Sequence, residues 1–489
     1  MVGLLKKNMS GELNMDKDNF IKWLEDTTEL SSYTINRYAG AIDTLSTELI
    51  KYGLNENNLF NITDKNIIDS ILNNQSFQDK NKRGNRMYSA ALNHFTEYIE
   101  HKKSSNYLPV KKGKPILRDP SSPFLTNKEL INHVHSYIKF KGFHYSIEEV
   151  TNLFLSIKTK PFVILSGISG TGKTKIVQLF AESIGATEKN GQLALIPVRP
   201  DWNDSSDLLG YVDIKGDFKK GPLTKVIENA EKNPDLPFFV ILDEMNLARV
   251  EHYFSDILSV MESRKWQDGK IISSNLLTEE IAKRNIKLPA NLYIIGTVNM
   301  DETTHPFSKK VLDRANTIEL NRVELSNLSF LEESKIVEAI CVPDSKFRSR
   351  YLHLKDLYSA NKDLVLKVTD ELEKINKPLQ LINAHVGYRV RDEICFYLDY
   401  NEDGNPLEEK KAFDYCILQK ILPRISGSDR RVEQLLSELY RLFTGRVYKE
   451  GQDSYQQEID EAKYPNSAAK VLEMLRRLGD DGFTSFWIS

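Results

Sequence analysis

Gly167-Ile168-Ser169-Gly170-Thr171-Gly172-Lys173-Thr174 is the stretch that decides the fold. It has the spacing of a phosphate-binding loop: a glycine, four residues, then Gly-Lys-Thr. Its flanks agree with that reading. Pro161-Phe162-Val163-Ile164-Leu165 ahead of it is a short apolar run of the kind that makes a buried strand, and Lys175 to Ala181 behind it reads as a helix. Glycines let the backbone curl until several N–H groups converge, and the helix N-terminus adds positive potential. The reading assigns residues 167–175 to nucleotide binding, Lys175 included. Lys173 reaches the outer phosphates and the Thr174 hydroxyl holds Mg²⁺.

Three further strands with polar ends follow. Ala194–Val198 runs into Arg199-Pro200-Asp201-Trp202. Phe238–Leu242 ends in Asp243-Glu244, and Leu292–Val298 ends in Asn299. A buried strand delivers such residues to the C-terminal edge of a parallel sheet, beside the loop. About seventy residues after a phosphate loop, an apolar run closed by Asp-Glu is the Walker B pattern. Asp243 then holds Mg²⁺ and Glu244 polarises the attacking water, with Asn299 between them and the outermost phosphate.

The bulk composition is ordinary. Of 489 residues, 40% are hydrophobic, enough for real cores in several domains, and the net charge of −3 announces no nucleic-acid partner, so a basic surface must be local. Cys341, Cys395 and Cys416 have no metal or disulfide spacing and read as small core residues. No apolar run approaches the ~18 residues of a membrane span, and the N-terminus lacks a signal-peptide core, which predicts a cytoplasmic chain without a membrane partner.

Residues 1–105 read as a small all-α domain. Lys80, Lys82, Arg83 and Arg86 cluster just before its fourth helix, near Tyr88, either as a phosphate-contacting DNA surface or as a solvated helix start. The layout of this domain resembles the core-binding domain of tyrosine recombinases. Residues 106–123, marked by Lys, Pro and Gly, read as a linker; 124–322 as the α/β nucleotide-binding part; 323–489 as a helical lid with C-terminal helices.

The order of motifs resembles that of AAA+ P-loop NTPases, which implies a parallel sheet with helices on both faces, a helical lid and a homo-oligomeric ring. Asn299 matches the sensor 1 position of that family. Arg314, in Lys309-Lys310-Val311-Leu312-Asp313-Arg314-Ala315, matches the arginine finger that completes a neighbour's site. Gly387-Tyr388-Arg389-Val390-Arg391, opening a helix, suits a sensor 2 arginine: Arg389 first, Arg391 second. Within AAA+ proteins, Asp243-Glu244-Met245-Asn246-Leu247-Ala248-Arg249 and Gly296-Thr297-Val298-Asn299-Met300-Asp301 are similar to the McrB family over about 145–450. This chain departs from the family signature at sensor 1, where Val298 precedes Asn299 and the partner acid is either Asp301 or Glu302. The resemblance implies GTP rather than ATP, a ring of six subunits, DNA (modified DNA included) as the polymer moved, and a separate McrC-like nuclease, since the chain carries no nuclease motif. The segments 208–223 and 263–289 resemble hairpins that face the ring's pore. The other AAA+ class to weigh is a MoxR-like chaperone that uses ATP to remodel proteins, with the front helices as an adaptor module.

Overall fold

The apolar positions between Phe20 and Ile99 close on one another as a helical core: Ile42, Leu45, Ile71, Leu92 and Phe95 are fully buried around Phe20. In this computed structural model the described residues are 32–52, 59–61, 65–72, 74–83, 87–104, 126–300, 305–321, 326, 336–449 and 455–487, with scattered positions from 17 to 27. The chain divides into two compact units, 1–111 and 112–489. The first is built on α1 (Ser32–Ser46), α2 (Lys65–Leu72), α3 (Gln75–Arg83) and α4 (Met87–Ser104). Lys80, Lys82 and Arg83 lie on α3, the short helix just ahead of α4. Arg86 and the linker residues 106–123 lie outside the described residues.

The second unit begins with α5 (Asn127–Phe140) and α6 (Ile147–Thr159). Each starts with a capping box, Thr126 with Glu129 and Ser146 with Glu149, which fixes where the helix begins. Five strands follow: β1 (Phe162–Gly167), β2 (Leu193–Pro197), β3 (Phe238–Asp243), β4 (Leu292–Asn299) and β5 (Asn316–Glu319). They pair in the order β5-β1-β4-β3-β2, all parallel. Parallel pairing needs crossover helices, and these cover both faces: α7 (Lys173–Ser183) lies with α5 and α6 on one, α8 (Pro222–Lys232) and α9 (Ser255–Glu262) on the other. The strands alternate accordingly. Val163, Leu165, Phe239, Ile241 and Ile295 face the first layer; Phe162, Ile164, Val240, Leu242 and Ile294 face the second. Small hairpins interrupt the crossovers at Gly210–Val212 with Phe218–Lys220, and at Lys265–Gln267 with Lys270–Ile272. The fold is therefore the α/β P-loop NTPase with helices on both faces, preceded by a helical region.

The C-terminal part is helical: α10 (Lys362–Leu379), α11 (Tyr388–Glu402), α12 (Glu409–Lys420), α13 (Arg430–Thr444) and α14 (Pro465–Asp481). It ends on Phe486, fully buried, and Trp487, whose indole donates to the Pro423 carbonyl at 2.9 Å. Cys395 and Cys416 are buried as expected, but Cys341 is exposed; it lies in irregular chain, where no periodicity tells burial from exposure. No helix among the described residues is long and apolar enough to cross a membrane.

A buried charge cluster joins α11 and α12 to the start of the sheet. Glu393 pairs with Lys160, just ahead of β1, and with Lys420, whose ammonium also donates to the Ala315 carbonyl at 2.7 Å, just ahead of β5. Burial would push the Glu393 carboxyl up, but the two ammonium groups outweigh it and hold it below the usual carboxylate range; burial pulls Lys160 down to about 8. Truncating Glu393 strands two buried cations, so Glu393→Ala is expected to cost about 3–5 kcal/mol of unfolding free energy. Denaturant titration checks this, and a loss within the ~0.5 kcal/mol typical of surface changes would contradict it.

Candidate nucleotide site

The loop after β1 is shaped as a phosphate cradle requires. Gly170 and Gly172 have φ of 83° and 84°, left-handed values that side chains with a Cβ rarely adopt. Gly172 caps α7, so the free N–H groups of that helix open into the loop. A Cβ on Gly172 would also meet the Tyr145 hydroxyl, which donates to the Gly172 carbonyl at 2.8 Å. Burial pushes the Tyr145 pKa up, keeping it protonated and a donor. Lys173 is buried, its ammonium donating to the Gly167 and Ile168 carbonyls at 3.0 and 2.7 Å. Lys175 lies 5.2 Å from the centre of the Phe143 ring.

Parallel register brings the other motifs to the same edge. Gly167 pairs with Asn299 and Leu242 with Gly296, so the ends of β1, β3 and β4 lie side by side. Thr174 Oγ1 donates to Asp243 Oδ1 at 2.8 Å, and Thr297 Oγ1 donates to the same oxygen at 2.7 Å. The Thr297 hydroxyl also accepts the Glu244 N–H at 3.0 Å, and Asn299 Nδ2 donates to Glu244 Oε1 at 3.3 Å. Glu244 has a φ of 53°, a left-handed conformation that costs about 1–3 kcal/mol and persists only where neighbours hold it. Thr297 and Asn299 are those neighbours. The structure thus brings Lys173, Thr174, Asp243, Glu244 and Asn299 together. Asp301 and Glu302 lie outside the described residues.

Thr174 and Asp243 supply adjacent hard oxygen ligands, which fit Mg²⁺. No group of three or more His, Cys, Asp or Glu with metal-holding geometry occurs among the described residues. A site of one hydroxyl and one carboxylate matches an ion that keeps most of its shell for water and substrate phosphates. His133 and His135 are occupied by the Ser183 and Tyr145 carbonyls, each at 3.0 Å.

The arginines collect at the opposite edge of the sheet. Arg314, just ahead of β5, forms an ion pair with Glu262 at the end of α9, at 2.5 Å, and donates to the Lys310 carbonyl at 2.6 Å. Arg389 pairs with the same Glu262 oxygen. Arg391 binds Asp392 at 2.7 and 2.9 Å. Because Glu393 is fastened to Lys160 and Lys420, the start of α11 lies at the N-terminal edge of β1, and six strand residues at ~3.3 Å each put roughly 20 Å between that edge and the loop. In the first unit, Lys80 is taken up by Glu48 and sits 4.9 Å from the Tyr88 ring centre, while Lys82 is exposed. Sequence reasoning missed Thr297, Glu262 and Tyr145. A hydroxyl on the strand beside Walker B was visible for Thr297; nothing local marked the other two.

Fold and site define an AAA-type P-loop NTPase domain, and residues 162–315 match the family model described as the AAA domain, dynein-related subfamily. Residues 333–483 match a second family, described only as a domain of unknown function, DUF8727. The chain is similar to the type IV methyl-directed restriction enzyme EcoKMcrB subunit of Escherichia coli (strain K12), 23% identical over 152 residues, or 31% of this chain. The match spans a third (33%) of that relative's length. A solved structure from Cytophaga hutchinsonii ATCC 33406, described as a possible ATPase, is 18% identical and covers 71% of this chain and 93% of that one, at a TM-score of 0.35.

The shared hydroxyl of Thr297 gives a direct test of the site. Thr297→Val keeps the shape but releases the Glu244 N–H, and a carboxylate displaced by about 1 Å costs about 10²-fold in kcat. Steady-state turnover beside a nucleotide titration checks it: kcat is expected to fall with affinity retained, and wild-type turnover would show that Thr297 does not set Glu244.

Proposed function

We propose that this chain hydrolyses a nucleoside triphosphate between subunits of a homo-oligomeric ring, six subunits in the simplest case, and that the substrate is GTP. One observation carries the hydrolytic reading: the Thr174–Asp243–Thr297–Glu244–Asn299 hydrogen-bond chain beside a preformed phosphate loop. Lys173 leaves the Gly167 and Ile168 carbonyls for the outer phosphates. Glu244, oriented by Asn299, accepts a proton from the attacking water. Mg²⁺, when bound at Thr174 and Asp243, offsets phosphate charge.

Arg314 and Arg389 are assigned to a neighbour's nucleotide. Roughly 20 Å of strand keeps them from the phosphates of their own chain, and Glu262 holds both at one place. The Arg314 Nε is buried with no hydrogen-bond partner among the described residues, which supports a state in which a further acceptor arrives. GTP, DNA as the polymer moved and a McrC-like nuclease partner are adopted from the resemblance to the McrB family, and the similarity to a methyl-directed restriction enzyme subunit supports the action of a restriction motor. One observation favours the second reading, a MoxR-like ATPase that remodels proteins: Lys80 is occupied by Glu48, which leaves the front unit fewer free cations for DNA phosphates.

Turnover of GTP against ATP, with and without methylated DNA, separates the two. Preference for GTP and stimulation by DNA support the motor; preference for ATP with indifference to DNA supports the remodeller. Within either, Glu244→Gln is expected to abolish turnover while nucleotide binding and assembly persist, and normal hydrolysis by that variant would remove Glu244 from its role. Arg314→Ala is expected to lose about 10³-fold in kcat and to regain activity when mixed with Glu244→Gln subunits. Mixed assemblies as inactive as their parents would argue against sites shared between chains.

A further inference from the structure

Beyond the end of β5, a polar chain runs from the exposed phosphate loop to the buried Lys470 of the last helix. Asn321 Oδ1 accepts the Ile168 N–H at 2.9 Å. Asn321 Nδ2 donates to Glu319 Oε1 at 2.6 Å, and Lys470 Nζ, on α14, donates to the same oxygen at 2.8 Å. The Lys470 side chain is 4% exposed; it also reaches Glu473 at 3.2 Å and lies 4.9 Å from the centre of the Phe486 ring. The partners fix the orientation of the Asn321 amide, since the Ile168 N–H needs an acceptor and the Glu319 carboxylate needs a donor.

The chain ends on a particular peptide unit. The N–H of Ile168 and the carbonyl of Gly167 belong to one plane. Asn321 holds the N–H side; the carbonyl side accepts Lys173 Nζ and, at 3.1 Å, the Met300 N–H. The approach is close enough to require glycine, because a Cβ on Gly167 would lie 2.5 Å from the Leu320 carbonyl oxygen and 2.9 Å from Asn321 Oδ1. A buried carboxylate–ammonium pair contributes little net stability, and burial pushes the Glu319 carboxyl up in spite of Lys470. Its consequence for the fold is therefore small, while its consequence for the loop is direct.

We propose that Asn321 is a positioning residue for nucleotide binding, setting the Gly167–Ile168 peptide plane that parks Lys173, and that Glu319 and Lys470 make this setting depend on how α14 is seated. The proposal rests on the nucleotide-binding reading of the loop. It implies that whatever shifts α14 alters the grip on nucleotide without touching the site.

Two measurements on the full chain test it. The first is hydrogen–deuterium exchange of the 166–172 segment without nucleotide. N321A and K470M are both expected to speed exchange there. The second is titration with fluorescent GTP and ATP analogues together with steady-state kinetics. Each variant is expected to weaken binding about five- to tenfold, the effect of one lost hydrogen bond, and to raise KM more than it lowers kcat. The N321A/K470M double variant is expected to bind no more weakly than the worse single one, because both cut one chain. N321D/E319Q, which reverses the polarity of the middle link, is expected to recover most of the loss. If K470M does not fold, E319Q/K470M cuts the same link without stranding a buried charge. Unchanged exchange in N321A, or losses that multiply in the double variant, would overturn the relay. Equal binding by wild type and K173A would instead sink the nucleotide reading, and the exchange experiment would still decide whether Asn321 and Lys470 hold the peptide plane.

Discussion

One oxygen of Asp243 receives two hydroxyls, and the nucleotide edge is arranged around it. Thr174 approaches from the helix after the phosphate loop and Thr297 from the neighbouring strand. The first contact ties loop to strand. The second hands on to Glu244, since the hydroxyl that donates to Asp243 accepts the Glu244 N–H. A left-handed glutamate is unfavourable in isolation and is tolerated here because the adjacent strand supplies both an acceptor for its N–H and, through Asn299, a donor for its carboxylate. Parallel register makes this possible: had β4 slipped by one residue, Thr297 and Asn299 would face the wrong side of the sheet.

The other edge of the sheet is organised by carboxylates that gather cations. Glu262 takes Arg314 and Arg389, Glu393 takes Lys160 and Lys420, and Asp313 takes Arg424. These pairs connect chain before β1, chain before β5 and the helical C-terminal part, so the position of α11 is set by charge as well as by packing. A parallel sheet has two chemically distinct edges. Here one carries the phosphate loop with Glu244 and Asn299, and the other carries Arg314 and Arg389. The proposal that one chain contributes to two sites of a ring rests on that division.

Sequence carried far where chemistry is local. The phosphate loop, the apolar strand that ends in Asp243-Glu244 and the strand that ends in Asn299 are each contiguous, and each lies at the sheet edge expected of it. The helical character of the C-terminal part was equally plain from periodicity. What escaped were contacts between residues far apart in the chain. Nothing near Asn321 marks it as the partner of Ile168, nothing near Glu262 announces two arginines, and Tyr145 looks like an ordinary core aromatic until it meets Gly172. The basic cluster ahead of α4 shows the same limit. Composition counts its charges, but only the structure shows that Lys80 pairs with Glu48.

How a nucleotide-dependent change could travel is constrained by the core. Val163 and Leu165 of β1 belong to the same hydrophobic cluster as Ile394 of α11, Ile417 of α12, Leu436 of α13 and Leu475 of α14. The helical C-terminal part therefore does not rest on the sheet as a separate cap; it completes the sheet's own core. Swinging it away would expose that shared surface, and close-packed interiors resist gradual deformation. Small displacements of whole helices remain available, and they act on what is directional. Apolar contacts tolerate a fraction of an ångström, whereas a hydrogen bond between a loop amide and Asn321, or an ion pair at Glu262, is weakened by it. In this architecture the directional polar links, rather than the apolar contacts, are what a small shift of α14 or α11 alters first.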